Sequence, residues 1–347
     1  MNALGTRRIL IIRRDNIGDL VCTTPFIAGL RSRYPDAFIA ALVNSYNRDV
    51  LHGNPDLDAV FAYTKAKHRR AGEGLLRVYL ERLRMFAALR RLEFDCAVLA
   101  APGFQTHALQ LARLSGARSV LGFVSKPGEG RIELPVAYQP SGALHEVEDV
   151  WRLGRALGIE GDPPAMKLQA DPARIGEVNA ALTAAGIGAA SRPLVALHIS
   201  ARKPSQRWPV EHFARLAGLL HERYQASFLL LWAPGTETNP EHPGDDEKAR
   251  RLTELMRGLP VLVFPTGQLA ELIAALAVVD RLVCADGGAM HLAAALGKPM
   301  VCLFGDSSAS RWHPWKVAYE LIQKQSRDVQ DITPEDAAAA YARLPIF

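Results

Sequence analysis

One stretch limits the possible folds more than any other. Leu282 to Ala285 is apolar, Asp286-Gly287-Gly288 turns the chain, and Ala289 to Leu296 reads as helix. Gly297-Lys298-Pro299 turns it again, and Met300 to Phe304 is apolar before Gly305. The pattern is buried strand, glycine-rich turn, helix, tight turn, buried strand. Such a βαβ unit belongs in a parallel sheet with both faces covered. Adjacent glycines let backbone approach a ligand closely. The free N–H groups at the start of the helix form an anion site. A carboxylate beside phosphate repels it, so Asp286 is better suited to gripping hydroxyls. Anion site and hydroxyl acceptor together suggest a sugar joined to a diphosphate. An ordinary βα turn with incidental glycines fits the same residues, and the turn alone does not decide.

The same rhythm runs along the chain. Its 347 residues suit two domains, and a hydrophobic content of 49% supports substantial cores. Short apolar strands are expected at 9–12, 38–43, 59–63, 95–101 and 119–123, then at 194–198, 227–232, 261–264 and 281–285. Helices are expected at 19–33, 145–157, 210–224 and 269–277. Alternation of this kind means an α/β fold with parallel sheets. Gly161-Asp162-Pro163-Pro164, Pro172 and Pro193 lie around an expected boundary. The expected layout is a first domain over 1–170, a second over 171–325, and a terminal segment, 326–347, ending in a helix capped by Thr333 with Pro334 in its first turn.

The net charge is +5, and its excess is local: residues 65–93 hold nine Lys or Arg against three Glu. Leu76, Tyr79, Leu80, Leu83, Phe86 and Leu89 recur at i, i+3, i+4 spacing, while Arg77, Arg82, Arg84, Arg90 and Arg91 fall mostly off that stripe. The basic face either meets anionic lipid or a phosphorylated acceptor, or is simply solvated. Without interleaved aromatics or a known module, nucleic acid is not an expected partner. Cys22, Cys96, Cys284 and Cys302 form no C-x-x-C pair and sit in or beside apolar runs, so buried reduced thiols are expected rather than a metal site or disulfides. No signal-peptide pattern opens the chain, and no apolar run reaches the ~18 residues of a membrane span. A cytoplasmic protein is expected.

Two other loops follow strands. Arg13-Arg14-Asp15-Asn16-Ile17-Gly18-Asp19 comes directly after the first strand. Ligands of open α/β sheets sit beyond the carboxyl ends of strands. Asp19, at a helix N-terminus that favours its ionised form, is either a base for an attacking hydroxyl or a helix cap. No G-x-G-x-x-G or P-loop is present, which argues against a nicotinamide enzyme. The other loop, His198 to Pro209, carries Ser200, Arg202, Lys203, Ser205 and Arg207. Its cations either neutralise a departing diphosphate or are solvated. Trp208-Pro209 is expected to pack at the helix start.

These three loops, in this order, resemble those of glycosyltransferase family 9, the ADP-heptose:lipopolysaccharide heptosyltransferases. The resemblance takes in Ile9 to Arg13, Gly18-Asp19, Thr23-Thr24-Pro25, Asn54-Pro55, His145-Glu146, Arg207-Trp208-Pro209, Asp286 to His291 and Leu303-Phe304-Gly305. It implies a GT-B fold, two Rossmann-like domains with parallel sheets facing a central cleft. The first domain would bind the acceptor and the second the nucleotide-sugar. The last helix would cross back to the first domain. The implied activity is inverting transfer of heptose, or a related sugar, from an ADP-sugar to a lipopolysaccharide core or related glycolipid. It needs no metal or cofactor, and it would take place in the cytoplasm or at the inner membrane face. Asp19 falls on the candidate general base, Asp286 on the carboxylate that contacts the donor sugar, and Gly287 and Gly288 on the phosphate turn. His291 lies in that motif, with Ser200, Lys203 and Arg207 as further donor contacts. Arg13, Arg14, Lys65, Lys67, Arg69 and Arg70 are the expected contacts for the anionic acceptor. The chain departs from the family at Gln206, where many members have lysine, and at Gly287, where they have Ser or Thr. Two other readings stay open. One is another enzyme of this fold, such as a nucleotide-sugar epimerase; the other is a non-catalytic nucleotide-sugar or glycolipid binder.

Overall fold

Two six-stranded sheets, each wholly parallel, organise the chain into two units, Met1–Leu168 and Gln169–Phe347. The computed structural model describes residues 8–64, 75–139, 144–188, 191, 193–238 and 244–345. In the first unit, β1 (Arg8–Ile12) leads into α1 (Ile17–Val21) and α2 (Thr24–Arg33), then β2 (Phe38–Asn44) and β3 (Ala59–Tyr63). α3 (Leu75–Arg91), β4 (Cys96–Leu99), α4 (Thr106–Ser115), β5 (Ser119–Val124), β6 (Leu134–Ala137) and α5 (Glu146–Trp151) follow. The strand order is β3-β2-β1-β4-β5-β6. The chain winds one way from β1 and the other way from β4, so the topological switch lies between them, with Ile9 beside Cys96 and Ile12 beside Leu99.

The second unit opens with α6 (Pro172–Ala184) and β7 (Leu194–His198). It continues through α7 (Val210–Tyr224), β8 (Ser227–Trp232), α8 (Asp246–Leu255) and β9 (Val261–Pro265). α9 (Leu269–Val278), β10 (Arg281–Ala285), α10 (Gly288–Ala295), β11 (Met300–Phe304), α11 (Ala309–Trp312), β12 (Tyr319–Gln323) and α12 (Pro334–Arg343) complete it. Its order, β12-β11-β10-β7-β8-β9, repeats the first topology, with the switch between β10 and β7. Every residue of β8, β10 and β11 is buried, as expected of strands covered on both faces.

The helix expected over 19–33 is two helices, and Pro25 is the reason. Proline has no N–H for the carbonyl of Val21 and crowds it; the hydroxyl of Thr24 donates to that carbonyl instead at 2.7 Å. Asp19 therefore rides on a separate single-turn helix. The helix expected over 145–157 tightens into a 3-10 turn after Trp151. Strands β6 and β12 fall where none was expected. Both are sheet edges, only partly buried, so their apolar signal is weak.

The last helix is anchored on the second unit. Ala337, Ala340, Tyr341 and Leu344 pack into the second unit's own core with Leu216, Leu220 and Leu303. The buried Arg281 donates to the Pro345 carbonyl at 2.6 Å, and its charge sits 4.5 Å from the Tyr341 ring centre. All four cysteines are buried, and none is joined in a disulfide. Among the described residues, no helix is long and apolar enough to cross a membrane.

Candidate functional site

At the switch point of the first unit the chain turns a cation inward. Arg13, the residue after β1, is only 2% exposed. Its Nη1 donates to the Ala100 carbonyl just past β4. Its Nη2 donates to Glu146 Oε1 at 2.7 Å and lies 3.1 Å from Asp19 Oδ1, while Nε lies 3.1 Å from Asp15 Oδ2. One guanidinium thus faces three carboxylates. Burial would loosen its proton, but Glu146, Asp19 and Asp15 outweigh that, and its proton affinity rises.

Asp19 is the third residue of α1. Its Oδ2 accepts from the Asn16 backbone N–H at 2.7 Å and from the Asn16 side-chain amide at 3.0 Å. The carboxylate therefore caps its helix and pairs with Arg13, and at 12% exposure it keeps a small open face. Glu146 comes from far along the sequence. It is the first residue of α5, where acids are favoured. Buried His145 caps that helix, accepting the Val147 N–H through Nδ1 at 3.1 Å. The Asp15 carbonyl accepts from the Tyr46 hydroxyl at 2.6 Å and from the Asn47 amide at 3.2 Å, anchoring the loop.

The second unit builds a different site at its own switch point. Asp286 follows β10, and its N–H donates to the Leu303 carbonyl at 3.0 Å. Gln206 is buried and uses its side-chain NH₂ twice, donating to Asp286 Oδ2 and to Ser307 Oγ, each at 2.9 Å. Gly305 makes this meeting possible. A Cβ there would stand 2.2 Å from the Ser205 carbonyl oxygen, so only glycine admits the loop. Lys203 pairs with Asp306 at 3.2 Å, both largely exposed. A Cβ at Gly287 would meet nothing within 4 Å, so the space before α10 is open. His291 is buried, with its ring edge-on to Trp312 at 5.8 Å.

Beyond β7 several ionisable groups are buried. Ser200 Oγ accepts the Ala233 N–H at 2.9 Å and hydrogen-bonds Asp245. Lys248 donates to the Ile199 carbonyl at 2.7 Å. Burial lowers the proton affinity of Lys248 and raises that of Asp245, though each partly offsets the other's shift. Burial, then the Lys248 charge, pushes His198 down to about 4.

The expected site residues thus divide. Asp286, Gly287, Gly288 and His291 share one turn and helix, and Lys203 lies on the loop that reaches it. Arg207 donates through Nε to the Ala201 carbonyl of its own loop at 3.1 Å, and Ser200 holds the loop after β8. Arg14 donates to the Tyr63 hydroxyl at 2.8 Å. Arg13, expected as an acceptor contact, is buried with its guanidinium turned onto three carboxylates and a carbonyl. Lys65, Lys67, Arg69 and Arg70 lie outside the described residues. Trp208 packs at the start of α7, edge-on to Phe213 at 4.7 Å, as expected. Glu146, Ser307 and the role of Gln206 were not foreseen. Their signals were the His145-Glu146 pair, the residues just past Gly305, and the departure from lysine at 206.

Comparison with known proteins follows this geometry. The profile of glycosyltransferase family 9 (heptosyltransferase) matches residues 82–341. Lipopolysaccharide heptosyltransferase 2 of Salmonella typhimurium is 25% identical over 318 residues, spanning 87% of this chain and 83% of the relative. A glycosyl transferase family 9 structure from Veillonella parvula superposes with a TM-score of 0.83 at 19% identity, covering 99% of this chain and 97% of that one. An Escherichia coli heptosyltransferase solved with ADP-2-deoxy-2-fluoro heptose gives 0.71 at 20% identity, covering 96% and 99%. The structural likeness shows the GT-B fold. With the profile matched over most of the sequence, the chain belongs to glycosyltransferase family 9, the heptosyltransferases.

Proposed function

We propose that the protein transfers heptose, or a related sugar, from an ADP-sugar to a lipopolysaccharide core or related glycolipid, inverting the anomeric centre and using no metal. The observation that carries this reading is Asp286, held by buried Gln206 beside an open glycine turn at the start of α10. That is a hydroxyl acceptor next to an anion site, as a nucleotide-sugar requires. The E. coli relative solved with a fluorinated ADP-heptose supports the choice of donor.

In this reading Asp19 takes the proton of the acceptor hydroxyl. The oxygen attacks the anomeric carbon from the face opposite the diphosphate, and the bonding pair leaves with the diphosphate oxygen. N–H groups at Gly287, Gly288 and Ala289 receive that charge, with Lys203 or Arg207 assisting. Arg14, Lys65, Lys67, Arg69 and Arg70 attract the anionic acceptor. Leu80, Leu83, Arg84 and Arg91 are exposed on α3. Such a mixed apolar and basic face suits peripheral contact with anionic lipid at the cytoplasmic face of the inner membrane. Among the described residues, no three His, Cys, Asp or Glu side chains are grouped to hold a metal, and Asp15, Asp19 and Glu146 gather around a guanidinium.

The test is incubation with ADP-heptose and a heptose-deficient lipopolysaccharide in excess EDTA. The expected product is the acceptor plus one heptose, with the anomeric configuration inverted relative to the donor. Release of free sugar without transfer, or activity only after magnesium or manganese is restored, would overturn the reading.

A further inference from the structure

We propose that Glu146 is a positioning residue for the base: by sharing Arg13 Nη2 with Asp19, it limits how much of the guanidinium's charge falls on Asp19. This rests on the reading of Asp19 as the base. Glu146 and Asp19 contact the same nitrogen, Arg13 Nη2, at 2.7 and 3.1 Å. The Ala100 carbonyl fixes Nη1, so the guanidinium cannot swing toward one carboxylate and away from the other.

The two acids pull the chemistry in opposite directions. An aspartate beside an arginine loses about one to three units of pKa, and a carboxylate held that low is a poor base. A second carboxylate close by raises the proton affinity again. Glu146 and Asp19 are within about 6 Å, since they share one nitrogen, and like charges at that range couple strongly. Neutrality alone does not explain Glu146, because Asp15 and Asp19 already exceed the charge of Arg13. Yet α5 and its His145 cap deliver a third, fully buried carboxylate. The neighbouring charged residues are Arg14, which follows Arg13 and donates to Tyr63, Arg48 and Asp49 on the 3-10 turn Ser45–Leu51 that packs on α1, and on α5 Glu148, which accepts the His145 N–H, and Asp149, which pairs with Arg152.

The experiment is the pH profile of kcat/KM for transfer, with Glu146→Gln, Glu146→Asp, Asp19→Asn and the double variant Arg13→Gln/Glu146→Gln. The acid limb of that profile reports the base of the free enzyme. Glu146→Gln should move the limb down by about one pH unit and lower the plateau, because Asp19 then bears more of the Arg13 charge. Glu146→Asp keeps the charge and should hold the limb near wild type. The double variant removes the two fully buried charges and frees Asp19 of the Arg13 charge, so it should move the limb upward; it keeps the coupling of Asp19 to this pair testable if Glu146→Gln does not fold. A uniform loss of rate with the limb unmoved in both Gln-bearing variants would reduce Glu146 to a structural partner of Arg13. Near-wild-type turnover in Asp19→Asn would instead sink the base itself, so the two failures are distinguishable.

Discussion

The two units share one topology and do opposite things with charge. At the first switch point a buried cation is surrounded by carboxylates, and the excess is negative. At the second, Asp286 is held by a neutral amide, Lys203 is exposed beside Asp306, and burial lowers the proton affinity of Lys248. The same sheet thus supplies position, and the loops beyond its strands supply chemistry. A negative pocket suits taking a proton, and an open turn beside exposed cations suits receiving an anion.

That division can be broken most forcefully at Asp19. Asp19→Asn should cost roughly 10²-fold or more in turnover, the scale of general-base removal, while donor affinity stays put. Steady-state assays with calorimetric titration of the donor check both halves, and a matching loss of donor affinity would erase the contrast. Next in size is Asp286→Ala. It should weaken the intact nucleotide-sugar on the order of 10- to 100-fold, the cost of lost hydrogen bonds to a charged group. Bare ADP should be affected far less. Equal losses for the two ligands would move Asp286 from the sugar to the phosphates.

A third prediction concerns burial as the suppressor of charge in the second unit. His198 titrates near 4 in the folded chain, against roughly 6.5 unfolded. Between those values the unfolded state binds more protons, so stability is present above about pH 6.5 and declines as pH falls toward 4. Wild type should lose about 2 kcal/mol from this group between neutral pH and pH 5. His198→Gln should lack that part of the slope in denaturant titrations at the two pH values. Identical slopes would mean the histidine protonates freely. The smallest effect belongs to α3. Arg84→Glu with Arg91→Glu should raise the acceptor KM a few-fold at low salt and less at high salt, given screening over about 8–10 Å. An acceptor KM unmoved across the salt series would leave a merely solvated face.

Much of this frame was legible in the sequence, for physical reasons. Strands β1, β2, β7, β8, β10 and β11 are central and buried on both faces, so they read as unbroken apolar runs. The Asp286 turn was legible because glycines, a carboxylate and a helix start are local. Other features depended on distance. Arg13 and Arg14 are adjacent and chemically alike, yet one is buried against Glu146, 133 positions away, and the other reaches Tyr63. Nothing local distinguishes them. The apolar face of α12 was visible, but periodicity does not name the surface it covers. Pro25 was legible in principle, since a proline inside the expected 19–33 helix marks a break.

The contact between Gly305 and Ser205 has a practical consequence for anyone redesigning the donor preference. Residues 205–206 and 305–307 are a hundred positions apart, yet neither segment can be exchanged alone. A methyl group added at 305 would lift the loop that delivers Gln206 and so displace the amide that holds Asp286. Libraries that vary position 206 in a fixed background explore a narrow set of loop heights. Pairing them with variation at 305 and 307 would open donor geometries that substitution on the loop alone leaves unreached.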